Sequence, residues 1–95
     1  MRFNWDPAKN RTNIRDHGID FADAVAVFDG PTSERFDDRN DYGEERWVAI
    51  GLLAGIEITV VYTDLPSKSD VERHLISARR ATRYEREAYH REIRS

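Results

Sequence analysis

The residue types that could bind an anion or move a proton are concentrated in the last quarter of the chain. Residues 71–95 contain seven arginines and four glutamates, a net charge of +3, whereas residues 1–70 have a net charge of −6. An arginine fork can hold two oxygens of a phosphate or carboxylate at once. His74 lies in the same quarter, and an ordinary imidazole titrates near pH ~6.5, as a general acid or base requires. The segment indicates an anion-binding surface, although a charged terminal helix would have the same composition.

Other kinds of site find less support in the sequence. The chain has no cysteine, which excludes disulfides, zinc ribbons and thiol catalysis. There is no glycine-rich phosphate loop, serine-hydrolase elbow or Cys/His metal pattern. Asp37, Asp38 and Asp41 invite a metal interpretation, but no histidine stands near them. A solvated acidic strand edge is the better interpretation, so we expect neither a metal nor a cofactor.

The length and composition predict a single domain over residues 1–95. That length is enough for one hydrophobic core and too short for two. Charged residues make up 35% of the chain, but ten aromatic residues argue against disorder. No apolar stretch fits a transmembrane helix or a signal peptide, so we expect a cytoplasmic location.

Three segments carry the signals of helices that would position these groups. Asp6-Pro7 is typical of an N-cap followed by proline at the first helical position, and His17-Gly18 of a glycine C-cap. Asp20 begins a second helix, whose apolar stripe consists of Phe21, Ala24, Val25 and Phe28. Thr82 and Glu85 form a capping box that opens a helix to about Arg94.

Five segments carry the signals of strands: Arg2–Trp5, Thr32–Arg39, Arg46–Leu53, Ile56–Thr63 and Arg73–Arg80. We expect a turn at Asn40–Gly43, a tight hairpin across Ala54-Gly55 and a polar loop over Leu65–Asp70. The order β-α-α-β-β-β-β-α predicts an α+β fold, with a single antiparallel sheet packed by helices on one face.

Regular alternation along the last strand divides its side chains between two faces. One face would carry Arg73, Leu75, Ser77 and Arg79, and the other His74, Ile76, Ala78 and Arg80. His74 and Arg79 would then share a site only if the strand twists or bulges between them.

Taken together, several segments resemble the BrnT family, the toxin half of bacterial type II toxin–antitoxin pairs. The resemblance covers nearly the whole chain and rests on the conjunction of three motifs, Trp5-Asp6-Pro7-x-Lys9, His17-Gly18-x-x-Phe21 and Ile76-Ser77-Ala78-Arg79-x-Ala81-Thr82. Members commonly carry an arginine shortly after the tyrosine-threonine strand end and another two residues before the isoleucine-serine-alanine-arginine run. This chain has Asp64-Leu65 and His74 in those regions.

The resemblance implies a RelE-like ribonuclease fold and cleavage of RNA without a metal. It also implies neutralisation by a BrnA-like antitoxin with a ribbon-helix-helix domain, through which the complex would contact DNA and repress its own operon. A catalytically decayed relative, acting only within an antitoxin-bound repressor complex, is the alternative. The acidic first 70 residues favour this alternative, and the arginine-rich last quarter favours the enzyme.

Four residues are the candidates for catalysis. The place of Arg79 in the third motif implies that it binds the phosphate. The alternative is a structural arginine that pairs with a carboxylate. His74 is the candidate acid or base, and a surface histidine is its alternative. Ser77 would donate a hydrogen bond to phosphate, unless it is bonded to backbone. His17 is a further catalytic candidate, or it caps the C-terminus of the first helix.

Four further residues are the candidates for RNA binding: Arg73, Arg80, Arg83 and Tyr84. Tyr84 would stack on a base, and packing in the core or at its rim is the alternative.

Overall fold

A computed structural model describes residues 1–38, 43–68 and 70–94. The elements follow the predicted order: β1 (Arg2–Asn4), α1 (Pro7–His17), α2 (Phe21–Ala24) with a 3₁₀ turn (Val25–Asp29), β2 (Ser33–Asp37), β3 (Arg46–Leu53), β4 (Ile56–Pro66), β5 (Val71–Arg80) and α3 (Arg83–Arg94). Of the turn predicted at Asn40–Gly43, only Gly43 belongs to the described residues. Within the described ranges, no helix is long and apolar enough to cross a membrane.

The five strands form one mixed sheet in the order β1-β5-β4-β3-β2. The prediction of an antiparallel sheet is wrong at one edge, where β1 pairs with β5 in parallel. The other pairs are antiparallel, and β3 and β4 form the hairpin predicted across Ala54-Gly55. The sequence signals of a hairpin lie within a few residues of its turn. Asn4 and its partner His74 lie 70 residues apart, so no local sequence pattern indicates the parallel pair.

The predicted caps are present at all three helices. Asp6 and Asp20 each accept a hydrogen bond from the backbone N–H two residues later, at 2.9 Å. Gly18 ends α1 in the left-handed conformation with φ = 70°. Thr82 and Glu85 form a reciprocal capping box, in which each backbone N–H donates to the other's side chain, at 2.8 and 3.2 Å. The helix ends are therefore determined locally.

Helices cover both faces of the sheet, so the prediction of one covered face is wrong. α2 and the 3₁₀ turn pack against Ile58, Val60 and Tyr62 in the larger core cluster, which includes Phe21 and Val27. α3 covers the other face through Tyr89, which clusters with Ile50. Ile50 pairs with Thr59 rather than Ile58, and neighbouring strand residues point to opposite faces. We call these the α2 face and the α3 face.

The turn after α2 approaches β3 closely. In a 3₁₀ helix residues i and i+3 lie on the same side, so Val27 is buried below Ala24 while Val25 is only partly buried. A Cβ at Gly51 would lie 2.9 Å from the Val27 Cβ atom. Phe28, the last residue of the predicted apolar stripe, packs against the cluster, with its ring 5.5 Å from that of Tyr62.

A β-bulge interrupts β5 in its middle. Val61 pairs with Ser77 and Tyr62 with Leu75, so Ile76 is an extra residue without a partner on β4. Each residue before the bulge therefore points to the face opposite to the one that regular alternation predicts. Leu75 and Ala78 both face the α2 core. The face assignment made from the sequence is wrong for this strand.

Asn13 of α1 occupies the edge of β5 beyond the reach of β1. β1 pairs only with Glu72, Arg73 and His74. Further along, the Asn13 side chain donates to the Ala78 carbonyl at 2.9 Å and accepts from the Ala78 N–H at 3.0 Å. It also donates to the Ile19 carbonyl at 2.9 Å, and it is buried. One amide thus takes the place of a neighbouring strand and ties α1 to the sheet.

The Asn13→Asp substitution tests this role. A carboxylate still accepts from the Ala78 N–H but faces two carbonyl oxygens to which it cannot donate. We expect a loss of about 3 kcal/mol in the free energy of unfolding at pH 7, since each unsatisfied buried group costs about 1–3 kcal/mol. Urea unfolding measures the loss. A change below about 1 kcal/mol would show that the edge of β5 does not depend on this amide.

Candidate functional site

Three of the predicted catalytic residues lie on the α3 face of β5. Their partners on β4 are Thr63 for His74, Val61 for Ser77 and Thr59 for Arg79, which are alternate residues of one strand. Two strand residues span about 7 Å, so His74 and Ser77 are about 7 Å apart along the sheet and Arg79 about 7 Å further. The bulge thus places His74 and Arg79 on the same face of the sheet, about 14 Å apart.

An open groove of about 350 Å³ lies between α1 and β5. Ser77 and the bulged Ile76 form its strand side, and the helix side consists of Ala8, Lys9, Thr12, Asn13, Asp16 and His17. The groove brings His17 and Ser77 together, as two of the predicted catalytic residues. Sequence reasoning missed Lys9 as a site residue. Lys9, Thr12 and Asp16 stand at helical spacing, a signal that could have identified this polar face.

His74 is half-buried and its ring contacts β1. Its Nδ1 lies 2.5 Å from the Asn4 Oδ1 atom. The other end of the Asn4 amide, Nδ2, donates to the Glu72 carboxylate. The orientation of the imidazole is therefore determined by neighbours on β1 and β5.

Arg79 is paired with a carboxylate. Its two terminal nitrogens donate to the two Glu85 oxygens at 2.7 and 3.0 Å. Burial of the Glu85 carboxylate favours its protonated form, but the hydrogen bonds from Arg79 and the Thr82 N–H outweigh burial and lower the pKa of Glu85 to about 2. This is the structural alternative foreseen for Arg79. A phosphate could bind to its fork only by displacing Glu85.

Arg73 does not lie on the surface that carries His74. It faces the α2 core and is only 9% exposed. Its guanidinium donates to both Asp64 oxygens at 2.8 and 2.9 Å and lies 4.0 Å from the Tyr62 ring centre. Burial disfavours the charged form, but the hydrogen bond with Asp64 raises the pKa of Arg73. The predicted contact of Arg73 with RNA is not compatible with this position.

The other three predicted RNA-binding residues lie near the β5–α3 junction. Arg80 pairs with Ile58 and points to the α2 face, away from the other site residues. Arg83 lines a groove of about 690 Å³ between α3 and Glu57 of β4, whose lining also includes Arg86, Arg91, Arg94, Glu87 and His90. The Tyr84 side chain is 75% exposed, so packing in the core is excluded for it.

The acidic segment after β2 differs from its prediction. Asp37 is buried rather than solvated, Asp38 is exposed, and Asp41 lies outside the described residues. Among the residues that the structure describes, no group of three or more His, Asp or Glu side chains could hold a metal ion.

A family model described as a ribonuclease toxin, BrnT, of type II toxin–antitoxin systems matches residues 5–85. The matched range contains α1, the bulge and the four predicted catalytic residues. No curated protein matches the chain.

The pair between Arg79 and Glu85 predicts a pH-dependent stability. The pKa of Glu85 falls from 4.5 to about 2 on folding, so its contribution is complete above about pH 4.5 and disappears as the pH falls towards 2. We expect Glu85→Gln to lower the free energy of unfolding by about 1 kcal/mol at pH 7, a value reduced for screening by solvent. Urea unfolding at pH 7 and pH 3 should show this difference shrinking with acid.

Glu87→Gln is the matched control for this measurement. Glu87 pairs with Arg83 in a fully solvated position on the same helix. Exposed pairs contribute little, so we expect a pH-independent change below about 0.5 kcal/mol. An equal effect of the two substitutions would contradict a specific role for the Arg79 pair.

Proposed function

The chain belongs to the BrnT family of ribonuclease toxins of type II toxin–antitoxin systems, and we propose that it is a metal-independent endoribonuclease that acts at the groove between α1 and β5. The observation that carries the proposal is the bulge at Ile76. It brings His74, Ser77 and Arg79 to one face of the sheet, beside a groove that His17 and Lys9 also line.

These residue types match the needs of RNA cleavage without a metal. A base takes the proton of the ribose 2′-hydroxyl, whose oxygen attacks the adjacent phosphorus atom. The bond from phosphorus to the 5′-oxygen breaks, and an acid gives that oxygen a proton. The products are a 2′,3′-cyclic phosphate and a 5′-hydroxyl. We assign the base to His74 and the acid to His17, because these two histidines lie at the groove and on the adjoining sheet face.

Cations stabilise the charge that develops on the phosphate oxygens. Lys9 lines the groove and is exposed, so it can approach a phosphate directly. Arg79 would act after exchanging the Glu85 carboxylate for a phosphate, which presents two oxygens in a similar geometry. Ser77 would donate a hydrogen bond to the same phosphate.

The surface beside this site offers contacts for the rest of the RNA strand. Tyr84 presents an aromatic ring to solvent in the first turn of α3, where a base could stack on it. Arg83 precedes it and lines the arginine-rich groove. We therefore retain Arg83 and Tyr84 as RNA-binding residues, whereas Arg80 points to the α2 face and does not belong to this surface.

The partner implied by the family is an antitoxin, and we propose a BrnA-like protein with a ribbon-helix-helix domain. The active groove and the exposed first turn of α3 are surfaces that such a partner would cover to stop cleavage. Contact with DNA would then come from the antitoxin.

Two observations favour the alternative, a catalytically decayed member that works only in a repressor complex. Asp64 stands in a region where the family commonly carries an arginine, and it pairs with the inward-facing Arg73. The arginine fork expected to clamp phosphate is occupied as well, by Glu85. A cleavage assay separates the two functions.

Comparison of Arg79→Ala with Glu85→Gln tests the proposed site. Both substitutions break the same ion pair, but only the first removes a cation. If Arg79 stabilises the transition state, Arg79→Ala should reduce the rate of RNA cleavage about 10²–10³-fold, whereas Glu85→Gln retains it. Arg79→Lys should restore part of the rate, because a point charge replaces a two-pronged donor. Activity should persist in EDTA.

Equal rates for Arg79→Ala and the wild type would remove Arg79 from the site. Loss of cleavage in EDTA, with recovery on adding a divalent metal, would contradict the metal-independent mechanism. No cleavage by the folded wild-type protein, on RNA or on translating ribosomes, would favour the decayed alternative.

The antitoxin proposal has its own test. The protein co-expressed with the product of the adjacent ribbon-helix-helix gene should elute as one complex in size exclusion, and the complex should not cleave RNA. Association should be faster at low salt, since charged surfaces steer it. Separate elution of the two proteins would contradict the partnership.

A further inference from the structure

Four polar side chains form a chain across the parallel pair of β1 and β5. The register places Arg2 opposite Glu72 and Asn4 opposite His74. Arg2 lies 3.6 Å from the Glu72 carboxylate, which accepts from Asn4 Nδ2, and Asn4 Oδ1 contacts His74 Nδ1. Thr63 is the partner of His74 on its other side, on β4.

The donors and acceptors of this chain determine where the proton of the His74 ring resides. An ionised carboxylate can only accept, so the Asn4 NH₂ group must face Glu72. The Asn4 oxygen then faces His74, and because it too can only accept, His74 Nδ1 must carry a hydrogen. In the neutral imidazole, Nε2 is therefore left with its lone pair.

We propose that Asn4 is a positioning residue, which holds His74 in the Nδ1–H tautomer with Nε2 as the proton acceptor. The inference builds on the role of His74 in the proposed function. Glu72 acts one step further out, by determining which end of the Asn4 amide faces the ring. Asn4 lies outside the residues matched by the family model, which begin at residue 5.

An amide has a different consequence from a carboxylate at this position. A carboxylate on Nδ1 would also fix the tautomer, but it would stabilise the imidazolium and raise the pKa of the ring. Asn4 orients the ring without placing a full negative charge directly on it. The nearest charges in this chain, on Glu72 and Arg2, form a pair of opposite sign.

The test is the tautomeric state of His74, measured by ¹⁵N NMR of the full-length protein at a pH where the ring is neutral. We expect the Nδ1–H tautomer in the wild type. Asn4→Leu, which keeps the size but not the acceptor, should shift His74 towards the Nε2–H tautomer that predominates in free histidine. The same variant should lower kcat for RNA cleavage about tenfold or more, as misplacing the proton of a catalytic histidine does, with little change in KM.

Asn4→Asp, made together with Glu72→Gln so that two carboxylates do not face each other, is the second variant, since it keeps the acceptor and places a charge directly on the ring. It should retain the Nδ1–H tautomer and shift the titration of His74, and the matching limb of the pH–rate profile, to higher pH. Phe3→Leu is the control, because Phe3 lies on the same strand but packs against the α2 core. It should lower stability without changing the tautomer.

Three results would overturn the inference: an Nε2–H tautomer in the wild type, an unchanged tautomer in Asn4→Leu, or no shift of the titration in Asn4→Asp with Glu72→Gln. The Asp variant keeps the test valid if the Leu variant does not fold. His74→Ala separates this inference from the proposed function. Wild-type cleavage by His74→Ala would remove His74 from the mechanism, whereas the tautomer measurement would still decide the role of Asn4.

Discussion

The arrangement of the molecule depends on one extra residue in β5. Leu75 and Ala78 are three positions apart, so a regular strand would point them to opposite faces. The unpaired Ile76 allows both to be fully buried against the α2 core. The same extra residue places His74 on the face of Ser77. Core packing and site assembly therefore have one cause, and a change that removed the bulge would disturb both.

Two different contacts cover the edge of β5, a paired strand and a side-chain amide, and the groove lies between them. β1 pairs with it as far as His74, and the Asn13 amide bonds with Ala78. Between these two points lies the bulged segment, whose Ile76 and Ser77 form one side of the groove. A longer β1 would continue the ladder over this segment and close the opening. The short first strand and the early start of α1 at Pro7 are thus conditions for the site.

Local signals in the sequence were sufficient for the element order and for the caps. Asp6-Pro7, His17-Gly18 and the Thr82–Glu85 box each act within a few residues, so their geometry is readable directly. The parallel pair joins β1 to a strand 70 residues later, and the bulge shifts the register of β5 against β4, so neither is set within a single element. Regular alternation was a reasonable expectation for β5, and it failed because the extra residue Ile76 reverses the faces of the residues before it. The candidate residues could thus be selected by type, whereas their common face could not be predicted.

The charge distribution along the sequence overstates the basic character of the last quarter of the chain. Arg73, Arg79 and Arg83 pair with Asp64, Glu85 and Glu87, so much of the positive charge in the last quarter is balanced within the fold. Asp64 comes from the acidic part of the chain, and so do Lys9 and His17 of the groove. The net charge of a segment does not show which of its arginines and lysines face a ligand. It also does not show which of them are already paired with a carboxylate. The register of β4 against β5 sets the pair between Arg73 and Asp64, whereas Arg79–Glu85 and Arg83–Glu87 form within a few residues along the chain.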